Sequence, residues 1–89
     1  MSDAIRDALL GAWLHLVAAL ELSDDELVDP GFVSDVLGDL TTDLRSRLSQ
    51  SDRALLVELI RQHAAREMDP ERREVFEETP ENFGLTDEP

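Results

Sequence analysis

The chain has no cysteine, no lysine and no tyrosine, and its aromatic residues are one tryptophan and three phenylalanines in 89 positions. Without cysteine, neither a disulfide framework nor a thiolate-ligated zinc or iron–sulfur centre can form, and a cytoplasmic location is the expectation. Basic residues are scarce: eight arginines stand against 21 acids, for a formal net charge of −13. An all-arginine cation set, with abundant Ala, Leu, Val and Asp, reads as the composition of a high-GC bacterial genome.

So few cations argue against functions that neutralise phosphates, so direct nucleic-acid binding is not expected. Attachment to an anionic membrane surface is disfavoured on the same ground. Glycine is sparse too. Gly11, Gly31, Gly38 and Gly84 are scattered and form no phosphate-cradling loop. No G-x-S-x-G stretch is present. Neither a catalytic residue nor a cofactor nor a metal site is expected, and so small a body should leave little room for a substrate pocket of ordinary volume.

Long hydrophobic runs are limited to one, "ALLGAWLHLVAAL" at residues 8–20. A membrane span needs about 20 apolar residues, and this run stops well short, between Arg6 and Asp7 on one side and Glu21 on the other. Its length suits a secretory signal, but such a signal begins with a positive segment, and residues 1–7 hold Asp3 and Asp7 against Arg6 alone.

What is present is a helical pattern. Eighty-nine residues make one domain of modest stability. Asp3 and Asp7 suit the start of a first helix running to about Leu22. Ser23 with Glu26 fits a capping box for a short turn. Asp29 and Pro30 are an N-cap and first-position pair for a second helix to about Leu48, carrying Phe32, Val33, Val36, Leu37, Leu40, Leu44 and Leu48. Ser49 and Ser51 offer caps for a third helix over about 52–68, with Leu55, Leu56, Leu59 and Ile60 on one face. A second Asp-Pro pair, Asp69 and Pro70, restarts the chain as a short charged helix to about Glu78. The expected fold is all-α: a small bundle of three long helices plus one or two short ones, residues 1–79, followed by an irregular acidic tail, residues 80–89, packed through Phe83 and Leu85.

At about 100° per residue the first helix carries two apolar stripes. Ile5, Leu9, Ala12, Trp13, Leu16 and Leu20 form the expected core face. Leu10, Leu14 and Val17 form a second stripe, which either meets the protein's own helices or serves as an interface with another chain. A seam of small residues, Ala4, Ala8, Gly11, Ala18 and Ala19, runs opposite the first stripe together with Asp7 and His15.

The two histidines receive a structural reading. His63 falls within the apolar arc of the third helix, one turn before Glu67, and a partly buried imidazole bonded to a carboxylate or carbonyl accounts for it better than a metal site. Asp35, Asp39 and Asp43 recur every fourth residue and make an acidic ridge along the second helix, ending at Arg47. Charge is unevenly spread: residues 21–43 hold eight acids and no base, whereas seven of the eight arginines lie in residues 44–73. Phe76, Phe83 and Leu85 alternate with acids near the C-terminus, as tail anchors or as a peptide for a basic groove. The composition therefore points to an acidic protein-interaction module without enzymatic activity, an inhibitor or immunity-type binder of a basic protein that uses Asp35, Asp39 and Asp43. The alternatives are a structural homodimer packed through the first helix and, behind it, a His/carboxylate-dependent metal protein or enzyme.

Overall fold

A computed structural model describes residues 3–24 and 26–86 of the chain. Four helices follow one another, α1 (Asp3–Glu21), α2 (Pro30–Arg47), α3 (Gln50–Arg66) and α4 (Pro70–Asn82), with no strand among the described residues. The fold is an all-α bundle.

The helix starts follow local chemistry. The Asp29 carboxylate accepts from the Gly31 amide at 3.0 Å, and Pro30 occupies a first-turn position where its missing N–H leaves no bond unmade. Asp69 and Pro70 repeat the device on α4. At α3 a reciprocal capping box joins the Ser49 hydroxyl to the Asp52 amide and the Asp52 carboxylate to the Ser49 amide. The expected box at Ser23 and Glu26 does not form. Asp24 accepts from the Glu26 amide instead, while the Ser23 hydroxyl donates back to the Leu20 carbonyl and closes α1.

α4 outlasts its expected end at Glu78, continuing through Pro80 to Asn82, so the boundary drawn at residue 80 falls inside a helix. Its termination is a Schellman motif. The Leu85 amide donates to the Pro80 carbonyl at 2.8 Å and the Gly84 amide to that of Glu81 at 3.0 Å, with Gly84 left-handed at φ 62°. That reversal directs Leu85 back into the interior. Gly84→Ala should cost about 1–2 kcal/mol, because a Cβ is strained at this φ, and the added methyl would also lie 3.4 Å from the Arg45 guanidinium. A denaturant midpoint unchanged from wild type would contradict it.

The core brings together Leu10, Leu14, Val17 and Ala18 of α1, Val57, Ile60 and Ala64 of α3, Val75 and Phe76 of α4, and Phe83 and Leu85 beyond it. α3 and α4 pack most extensively, α1 lies on α4, and α2 touches α1 thinly. α2 contributes no fully buried residue and meets the core through half-buried Leu37 and Leu40. The radius of gyration, 13.2 Å, exceeds the value of about 12 Å expected for this length, consistent with a fourth helix laid loosely against the other three.

The faces of α1 are the reverse of the expected ones. Leu10, Leu14 and Val17, the stripe left open between the protein's own helices and an interface with another chain, are in the protein's own core, and Leu14 is wholly inaccessible. Ile5, Leu9 and Leu16, the expected core face, are 53–59% exposed, and Trp13 and Leu20 are half-buried. The cause lies in what shares the inward side. Asp7, Leu10, Leu14 and Ala18 follow at helical spacings of three and four, so they line one side of α1. Asp7 and Gly11, on that same side, lie against His63 of α3. A similar one-position shift occurs on α3, where Val57 is buried and Leu55 is 49% exposed.

Candidate functional site

The acidic ridge lies on the open side of α2. Asp35, Asp39 and Asp43 are all exposed. The Asp43 carboxylate accepts from Arg47 Nε at 2.8 Å and closes the lower end of the row. Neither Asp35 nor Asp39 has an ion pair or side-chain hydrogen bond among the described residues. Two solvated carboxylates on successive turns therefore stand unneutralised on the helix that contributes least to the core. Below them Thr41 and Thr42 turn their hydroxyls to the Leu37 and Gly38 carbonyls. Arg45 lies across Gly84.

Phe76, Phe83 and Leu85 are each 2% exposed. The Phe83 ring is tilted at 51° to that of Trp13, with centroids 5.2 Å apart, a favourable aromatic arrangement. These side chains are consumed by packing and do not form a presented peptide. Residues 87–89 lie outside the described residues.

The histidines do not meet in any common site. His15 is exposed, its ring edge-on to Phe76 at 6.1 Å. His63 does not pair with Glu67, whose carboxylate is 3.0 Å from Arg72 Nε. Its Nε2 stands 2.9 Å from Asp7 Oδ1, close enough for an ion pair but not aligned as a hydrogen bond. Arg66 Nη2 reaches the same carboxylate oxygen at 3.3 Å. Gly11 makes room for the imidazole, since a Cβ there would come within 3.3 Å of His63 Cε1. The small-residue seam and Asp7 were visible in the sequence; their pairing with His63 and with Arg66, the latter 59 residues from Asp7, was not, because helical periodicity carries no long-range register.

Partial burial pushes the Asp7 carboxyl up, but the Arg66 hydrogen bond and the charges of His63 and Arg66 outweigh it and hold the group below its ordinary value of 3.8. A depressed carboxyl stabilises the fold above its unfolded value and loses that contribution as pH falls through the folded value. Asp7→Asn should therefore lower the melting temperature at neutral pH, with the gap to wild type closing below about pH 4. A gap constant down to about pH 3 would show that the clasp is not electrostatic.

Among the described residues no three His, Asp or Glu side chains are grouped as metal ligands. A hollow of about 790 Å³ lies between the start of α3 and the C-terminal segment, lined by Ser49, Ser51, Val57, Arg61, Leu85 and Thr86. It is a wide basin open to solvent and brings together one cation and several hydroxyls. No helix among the described residues is long and apolar enough to cross a membrane. No family model matches this chain, and no curated protein or solved structure does either.

Proposed function

We propose that the protein is a non-enzymatic protein-interaction module whose α2 face recognises a basic surface on another protein. The observation that carries this reading is the pair of exposed, unneutralised carboxylates at Asp35 and Asp39, continued by Asp43, on a helix with no fully buried side chain. Like charges on adjacent turns lower helix stability by a few tenths of a kcal/mol each. A cationic partner converts that local repulsion into attraction, and the overall charge of −13 steers such a partner in from a distance. Neutralisation of a basic protein, as an inhibitor or immunity-type binder, is the most concrete form of this role.

The test is affinity capture from the native cell with wild-type protein and with Asp35, Asp39 and Asp43 together changed to Asn. A basic protein should be retained by the wild type, and lost both with the triple variant and in about 0.5 M salt. Capture indifferent to both changes would remove the reading. A homodimer through the first helix is a second reading, favoured by the exposure of Leu9 and Leu16.

A further inference from the structure

The outward side of α1 is a continuous seam. Ile5, Leu9, Ala12, Leu16 and Ala19 alternate at spacings of four and three, the heptad rhythm of a helix that packs along another helix, and all five are exposed. The seam runs for about 21 Å at 1.5 Å per residue. Between Asp7 and Glu21 the helix carries no charged side chain. In a chain this acidic, the seam is a face along which two copies can approach without setting carboxylates against each other. A basic partner, by contrast, would find nothing on it to pair with.

We propose that this seam is a self-association face, on which a second copy of the chain packs α1 against α1, antiparallel, about a two-fold axis at Ala12. This deepens the homodimer reading and is independent of the role given to α2. The arrangement of sizes selects the antiparallel form. With the axis at Ala12, Ile5 stands opposite Ala19 of the second copy and Ala12 opposite itself, while Leu9 and Leu16 meet about one residue's rise out of step, so the backbones approach most closely at the centre. The same five residues then serve both copies, as an isologous interface requires. Parallel pairing would set Ile5 against Ile5, leave paired alanines as gaps at Ala12 and Ala19, and stack Glu21 on Glu21. Antiparallel pairing also opposes the two helix dipoles and brings Arg6 to the end of the partner helix that carries Glu21.

A single seam is smaller than the ~800 Å² per partner of a standard interface, so the dimer is weak, with a dissociation constant on the order of 10–100 µM. Its salt dependence is set by the net charge. Two copies at −13 repel, so added salt screens the repulsion and strengthens the dimer. Salt weakens capture of a basic partner by α2, so failure of one proposal is distinguishable from failure of the other.

Sedimentation equilibrium from about 10 µM to about 1 mM, at low and at about 0.5 M salt, reads the association directly. Wild type should pass from monomer to dimer and do so at lower concentration in high salt. Leu9→Glu with Leu16→Glu should remain monomeric throughout, with a melting temperature no more than about 10 °C below that of the wild-type monomer, because both positions already have more than half their surface in water. The absence of cysteine gives a register test. Ala12→Cys should form a disulfide-linked dimer on mild oxidation, Ile5→Cys alone should not, and Ile5→Cys mixed with Ala19→Cys should. Monomer at all concentrations and salts, or a dimer untouched by the double Glu variant, would overturn the proposal. Efficient cross-linking of Ile5→Cys to itself would overturn the antiparallel form.

Discussion

Leu14→Ala is expected to lower the unfolding free energy by about 2–5 kcal/mol, whereas Leu16→Ala, two positions along the same helix, should lower it by less than about 1 kcal/mol. The residue type, the helix and the helix propensity of the replacement are the same, so the difference isolates burial. Leu14 is wholly enclosed by the core, and its truncation leaves a cavity among Val17, Ile60 and their neighbours that the packed helices cannot fully close. Leu16 already has about half its surface in water, and its loss removes contacts without opening a void. In an 89-residue domain the larger value is a substantial share of total stability, so Leu14→Ala should also show a lowered melting temperature at any protein concentration. Equal effects at the two positions would mean that α1 is rotated from the orientation described here.

Phe83→Ala is the second large effect, expected at about 3–5 kcal/mol. Phe83 follows α4 directly and lies 2% exposed against Trp13. Its position depends on the Schellman reversal at Gly84, which also seats Leu85 at 2% exposure. The C-terminal segment thus adds two buried side chains, Phe83 and Leu85, to the core. Trp13 is the only tryptophan, so its fluorescence reports the loss directly: the variant should show a red-shifted emission and an earlier denaturation midpoint. Wild-type stability would show that the core closes without this segment.

Much of the architecture was legible because it is written in local chemistry. Two Asp-Pro pairs, Ser49 with Asp52, and the apolar spacing of each helix define four elements to within a few residues, and no tertiary knowledge is needed to read them. The end of α4 was misplaced because Pro80 suggested a stop. Three turns into the helix it is tolerated, buried, with its carbonyl accepting the bond that closes the motif. The rotation of α1 was not legible for a different reason. Its larger apolar stripe is the one left facing outward, and the residues buried beside the smaller stripe meet segments far along the chain, His63 on Gly11 and Asp7 and Phe83 on Trp13. Periodicity shows which residues share a face; it does not say which of two apolar faces a fold covers. The acidic ridge, in contrast, was readable in full, since charges at four-residue spacing on a single helix must share one side and Asp35, Asp39 and Asp43 do.

One helix presents carboxylates without partners, and another presents large apolar side chains without charge. In the roles proposed for them, the two surfaces take partners of different chemistry, and their binding should respond to salt in opposite directions.

The orientation of α1 is tested most directly by solvent paramagnetic relaxation of its leucine methyl groups, measured in dilute solution where the chain is monomeric. The methyls of Leu9 and Leu16 should relax strongly with a soluble paramagnetic probe, while those of Leu10 and Leu14 stay protected. Protection of Leu9 and Leu16 with exposure of Leu10 and Leu14 would contradict both the packing of α1 and the association face built upon it.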